Sequence, residues 1–177
     1  MLARLSLHTA RLSIRSATPA DRADLYALER DPEVMRHLNG GAPVPEEGLA
    51  DADFLTPRGT EPEVAVIHDR RTGAFVGWIA LFDEGLREGQ RAAEIGYRLA
   101  RAAWGRGYGT EAVGAIATLA LTRLGVTRLR AETMATNLGS RRVLEKAGFA
   151  HVATRPWDGP DPLPGAEAGE VIYERGP

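Results

Sequence analysis

The chain has 177 residues, enough for one domain with a substantial core and too few for two. Its 22 basic and 24 acidic residues give a formal net charge of −2, without the global positive field that a nucleic-acid binder needs. There is no cysteine, and the four histidines (His8, His37, His68, His151) show no ligand spacing, so a disulfide framework, a cysteine acyl-enzyme and a metal site are not expected.

No apolar run reaches the length of a spanning helix, and Met1-Leu2-Ala3-Arg4-Leu5 does not lead into a signal peptide; no membrane contact and a cytoplasmic location are expected. Alternation from Leu5 to Arg15 predicts strand, with a turn between two short pieces. Thr18-Pro19 then starts a helix, with Leu25, Ala27 and Leu28 on its buried side and Tyr26 and Arg30 at its edge. Asp31-Pro32 repeats that signal for a short helix through Val34, Met35 and Leu38, ended by Asn39-Gly40-Gly41. The stretch from Val44 to Thr56 reads as a further helix anchored by Leu49 and Phe54. Two strands follow, Glu63–His68 and Ala74–Leu81, joined as a hairpin through Asp69–Gly73. Asp83–Arg91 reads as a polar loop and Ala92–Leu99 as the next strand.

That strand runs into Arg101-Ala102-Ala103-Trp104-Gly105-Arg106-Gly107-Tyr108-Gly109-Thr110, with an apolar-periodic helix predicted from Thr110 to Leu124. Glycines at alternate positions let backbone approach a ligand, and the free N–H groups of a helix start favour a phosphate or pyrophosphate. A Walker loop would need Gly-Lys-Ser/Thr, and a dinucleotide fingerprint belongs after a first strand, so neither applies. A tight turn without a ligand is the plain alternative. Beyond it, Arg128–Thr133 reads as strand, Asn137 or Leu138 to Ala147 as a helix closed by Gly148, and Phe149–Trp157 and Val171–Glu174 as strands around a Pro/Gly-rich loop. Parallel neighbours are expected around the glycine-loop helix and hairpins at the ends, giving a mixed, strongly twisted α/β sheet.

The glycine loop, the run Asn137-Leu138-Gly139-Ser140-Arg141-Arg142-Val143-Leu144-Glu145-Lys146-Ala147-Gly148-Phe149, Asp31-Pro32-Glu33-Val34 and Glu94-Ile95-Gly96-Tyr97 together carry a resemblance. The chain resembles the GCN5-related N-acetyltransferase (GNAT) superfamily, and within it the branch of bacterial ribosomal-protein N-terminal acetyltransferases. The resemblance covers nearly the whole chain as one domain, 1–177. Trp104 stands where much of the superfamily has Gln or Arg, which looks usual for this branch.

The resemblance implies a single-domain GNAT fold, with splayed parallel strands and flanking helices. It also implies direct acetyl transfer from acetyl-CoA to a primary amine, foremost a protein or peptide N-terminal α-amine. A small-molecule amine, such as an antibiotic or polyamine, is the alternative; a noncatalytic acyl-CoA-binding domain is a third reading. The pyrophosphate would lie on the amides of Gly105, Arg106, Gly107, Tyr108, Gly109 and Thr110, with the Arg106 guanidinium either on phosphate or solvated. The pantetheine arm would follow the strand edge, meeting the main chain of Leu99, and Asn137 would serve its amides, cap the helix, or do both. Ser140 would stabilise or protonate the departing thiolate, or be a helix-surface hydroxyl. Glu94 is the first candidate for general base, or a surface residue; Asp158 is the second candidate. Tyr97 is given no chemistry, Trp104 is expected to pack under the loop, and Tyr26, Arg30, Met35 and Leu38 are expected to surround an acceptor cleft. The resemblance is compatible with a homodimer and implies no nucleic-acid or membrane partner.

Overall fold

The alternating front end forms β1 (Ser6–His8) and β2 (Leu12–Ser16), antiparallel around a turn that contains Thr9 and Arg11. The structure, a computed structural model, describes residues 2, 5–38, 42, 64–87, 90–159 and 163–177; the helix expected over 44–56, and Asn39-Gly40-Gly41, lie outside these residues. Thr18-Pro19 opens a 3-10 turn over Pro19–Asp21 ahead of α1 (Arg22–Arg30). The Asp21 carboxylate accepts from the Thr18 amide at 2.8 Å and from Arg15 at 2.6 Å, which anchors the helix start to β2. Leu25 and Leu28 are buried as expected, but Ala27 is exposed and Glu29 takes the remaining inward place. Asp31 caps α2 (Pro32–Met35) by accepting from the Glu33 amide at 2.9 Å.

Next come β3 (Val64–Asp69), β4 (Phe75–Arg87) and β5 (Gln90–Leu99). The polar loop expected over Asp83–Arg91 is instead the outer part of the β4–β5 hairpin, with Asp83 opposite Ala93 and a bulge between Asp83 and Gly85. Backbone ladder bonds hold it, while Asp83, Gly85 and Arg91 are exposed and Glu84 is half-buried, so the stretch has no apolar alternation to read. The chain continues through α3 (Tyr108–Arg123), β6 (Arg128–Met134), α4 (Leu138–Lys146), β7 (Ala150–Arg155) and β8 (Glu170–Arg175). The helix α3 starts two residues before its predicted Thr110, because Gly107 turns the chain with φ 77°.

The eight strands form one sheet in the order β1-β2-β3-β4-β5-β6-β8-β7, and among the described residues only β5 and β6 pair parallel. The larger core lies between the sheet and α3/α4, with Ile79, Leu81, Ile95, Val113, Ile116, Leu129, Leu144 and Tyr173 all buried. Each fully buried aliphatic there contributes about 1.5–3 kcal/mol. A smaller core on the opposite face packs α1 through Leu25 and Leu28 on Val64, Val66, Trp78 and Ala80. Because side chains alternate along β5, Ile95 and Tyr97 face α3/α4, whereas Gly96 and Arg98 face the α1 side.

Candidate active site

The parallel pair is short. Ala92, Ala93 and Glu94 register with Arg128, Leu129 and Arg130, and then β5 continues to Leu99 and β6 to Met134 with no further rung between them. A fork therefore opens above Glu94, and one backbone edge of residues 95–99 faces it without a ladder partner. Such an edge can receive an extended ligand as if it were a strand.

The glycine loop closes one end of this fork. Gly107 stands at the start of α3 with φ 77°, and the Glu111 amide already donates to its carbonyl at 3.1 Å. The amides of the preceding first turn have no intrahelical acceptor and carry the positive end of the helix dipole. Gly109 is needed for a different reason: a Cβ there would lie 3.0 Å from Leu99 Cδ1 and 3.1 Å from a Val143 methyl. Helix, strand and α4 thus meet at a residue without a side chain. The open edge, the free amides and this close approach fit an extended phosphate-bearing cofactor of the coenzyme A type.

One expectation for this region changes, that for Trp104. Tyr108 offers only backbone to a ligand, in line with the amide role expected of it, since its ring is buried and its hydroxyl donates to Asp69. Trp104 is not under the loop: it is 46% exposed, with its indole N–H donating to the Leu99 carbonyl at 2.8 Å. The Leu99 main chain therefore already has one partner. Arg106 is exposed, its guanidinium 4.9 Å from the Tyr108 ring centroid.

Arg11 is a residue that the sequence reading missed. From the β1–β2 turn it donates to the Arg106 carbonyl at 2.8 Å and to Glu111 Oε2 at 2.6 Å, while the Thr9 hydroxyl donates to Glu111 Oε1 at 2.6 Å. The front of the chain thereby holds the glycine loop from beneath and neutralises the acid in the first turn of α3.

On the α3/α4 face, Asn137 Oδ1 accepts from the Ser140 amide at 3.2 Å, so the cap role is present while its Nδ2 donors have no partner among the described residues. Ser140, half-buried in the first turn of α4, lies 2.9 Å from the Tyr97 hydroxyl. Tyr97, given no chemistry from sequence, thus joins β5 to α4 across the fork. Burial pushes its phenol up to about 12, against the Ser140 hydrogen bond.

On the opposite face, Glu94 sits at the fork's base. Burial raises its carboxyl above the ordinary range, and the nearby charges of Glu132 and Glu84 add to the rise against Arg130 and Arg155. Next to it lies a cavity of about 600 Å³ lined by Glu84, Ala92, Arg128, Arg130, Val152, Ala153, Ile172 and Glu174. Farther along that face, the buried Glu29 receives the Trp78 indole N–H at 3.0 Å and an Arg98 guanidinium N–H, which ties α1 to the sheet. Of the residues expected around an acceptor cleft, Met35 is fully buried, while Tyr26 and Leu38 are half-buried and Arg30 is exposed. Asp158 is exposed beyond β7, and its charge acts on Arg155. Among the described residues, no cluster of three His, Cys, Asp or Glu could hold a metal.

This geometry has known counterparts. Residues 11–150 match the family model described as an acetyltransferase (GNAT) domain. The FsC-acetyl coenzyme A-N(2)-transacetylase of Aspergillus fumigatus is 33% identical over 175 residues, which is 95% of this chain and 74% of that protein. A spermidine N-acetyltransferase from Vibrio cholerae, solved with CoA and spermine, superposes with a TM-score of 0.77 at 15% identity, covering 94% of this chain and 96% of that one. A ribosomal L7/L12 α-N-protein acetyltransferase solved with coenzyme A does so with a TM-score of 0.75 at 19% identity, covering 95% of each chain. The two structures, one of a polyamine enzyme and one of a ribosomal-protein enzyme, share the fold and single out no ribosomal-protein branch. The forked parallel pair and the glycine-loop helix lie within the matched residues, and the chain belongs to the GNAT family of acetyl-CoA-dependent N-acetyltransferases.

Proposed function

We propose that the acceptor is the primary amine of a small polar molecule and that Glu94 removes its proton. The observation that carries this reading is the open recess on the Glu94 face, which adjoins Glu94 through Ala92 and Arg130: its volume of about 600 Å³ falls in the range of small-molecule sites, about 300–1,000 Å³. Its lining mixes charges with the small apolar surfaces of Val152, Ala153 and Ile172. The relatives support the same choice, one being named for spermidine and another for N(2)-transfer. A peptide wall at α1 and α2 loses one of its expected members in Met35.

Acetyl-CoA supplies the acetyl group as a thioester. The amides at the start of α3 bind its pyrophosphate, Asn137 Nδ2 and the β5 edge orient its arm, and Ser140 supports the departing sulfur. An alkyl amine has a reference pKa of about 10.4 and arrives protonated at neutral pH, so a base is required. The raised carboxyl of Glu94 is closer to working pH than an ordinary glutamate, which makes it a better general base. Glu94 and Ser140 belong to opposite faces of β5, so the amine and the leaving sulfur are served from different sides.

A mass-spectrometric screen with acetyl-CoA against polyamines, amino-acid amines, aminoglycosides, lysine peptides and N-terminal peptides tests the acceptor. Acetylation concentrated among the small amines is expected. Exclusive modification of peptide N-termini would overturn the proposal and leave the family assignment standing.

A further inference from the structure

We infer that Tyr97 is a positioning residue, whose phenol fixes the Ser140 hydroxyl as a hydrogen-bond donor to the sulfur that leaves during acetyl transfer. The inference rests on the reading above, in which Ser140 meets the thioester end of acetyl-CoA in the fork.

The geometry is specific. Tyr97 Oη lies 2.9 Å from Ser140 Oγ and 3.3 Å from the Ser140 carbonyl oxygen. The phenol has one hydrogen for these two oxygens: given to the carbonyl it leaves Oγ–H to donate to the phenol oxygen, and given to Oγ, the shorter contact, it leaves the seryl hydrogen unengaged; the second arrangement is the one inferred. When the phenol donates, Oγ accepts and keeps its own hydrogen for a third partner. Ser140 has no other side-chain hydrogen bond among the described residues. Its backbone is separately held by Asn137 Oδ1, so the hydroxyl is fixed from both ends. The contact joins α4 to the part of β5 that has no ladder with β6. Burial keeps the phenol protonated, and thus a donor, throughout the working range.

In the transfer, Glu94 takes one proton from the ammonium, the freed nitrogen bonds to the acetyl carbon, the carbon–sulfur bond breaks with its electron pair on sulfur, and the second proton on nitrogen is lost to solvent. Ser140 O–H donates a hydrogen bond to that thiolate and retains its proton. A full proton transfer from Tyr97 would run uphill, from a phenol at about 12 to a thiol near 8.5. The thiolate takes its proton from solvent on release.

The test reads the bound thiol directly. Coenzyme A is bound to wild type, Tyr97→Phe, Ser140→Ala and the double variant, and its thiolate absorbance is followed with pH. Wild type should lower the thiol's titration midpoint relative to free coenzyme A. Each single variant should reduce the thiolate-to-thiol ratio at fixed pH by roughly tenfold, the size of one charge-assisted hydrogen bond. The double variant should fall no further than Ser140→Ala, since both act through one hydroxyl. Substituting ortho-fluorotyrosine at position 97, a stronger donor of nearly the same shape, should shift the ratio the other way. That variant tests the role even where Tyr97→Phe fails to fold. A Tyr97→Phe protein or a fluorotyrosine protein that titrates like wild type would overturn the inference. Failure of wild type to bind coenzyme A would instead overturn the cofactor placement on which it rests. A packing role alone would change thermal midpoint and coenzyme A affinity at every pH, without moving the thiol titration.

Discussion

At the scale of single residues, two side chains govern how the site responds to charge. Glu94 must be a carboxylate to accept a proton, and its surroundings oppose ionisation. The rate therefore falls as pH drops through a midpoint above the usual glutamate range. Glu94→Gln should lower kcat/KM by about 10²–10⁴-fold and abolish that limb, with the deficit shrinking at high pH as more amine arrives neutral. Steady-state rates across pH check this. Arg11 acts on the cofactor side: without it, the Glu111 carboxylate would remain under the phosphate-binding turn with only Thr9 and a backbone amide as partners. Arg11→Ala should raise the KM for acetyl-CoA by about three- to tenfold, a modest effect because the arginine is half-exposed. Adding Glu111→Gln should restore part of the loss. An unchanged KM in the arginine variant would assign the pair to folding alone.

Among the elements, α3 and its glycine loop separate binding from packing. Gly107→Val forces a β-branched residue into left-handed backbone, with Arg11 Nη2 only 3.3 Å from the added Cβ. Calorimetry should find coenzyme A binding weakened at least tenfold. Gly109→Val instead drives a side chain into Leu99 and Val143, and overpacking of this kind costs about 1–3 kcal/mol of stability. Its thermal midpoint should fall before binding is considered. The helix and its loop were legible in sequence because the signal is local: alternate glycines followed by a 3.6-residue apolar period. The outer β4–β5 hairpin was not, since its stability lies in backbone pairing and its polar residues show no inward face. Tyr97 and Arg11 were missed for a related reason. Their partners lie 43 and 100 residues away along the chain, and residue type alone cannot announce such a contact.

For the whole molecule, two buried acids tie elements together: Asp21 links β2 to the start of α1, and Asp69 links the β3–β4 turn to α3. Burial opposes ionisation of Asp21, yet Arg15 and Thr18 hold it to about 2, and Asp69 is held below the carboxylate range chiefly by the Tyr108 hydroxyl. Both have folded-state pKa values below the unfolded value of about 3.9, so their stabilisation is present above that pH and is lost as pH falls toward 2. Thermal midpoints should hold near neutrality and drop by several degrees across that window, and Asp21→Asn should flatten the drop. The mixed sheet and its parallel centre followed from the order of strands and helices. The division of the site between two sheet faces became visible only once strand register placed Glu94 and Tyr97, three residues apart on one unbroken strand, on opposite faces. The fork also has a kinetic signature in the resting protein. Alternate amides of residues 95–99 that point away from β4 have no ladder acceptor, so they should exchange deuterium rapidly, while their neighbours bonded to β4 remain slow. Coenzyme A should slow the fast set selectively, making strand β5 report occupancy through one of its two edges.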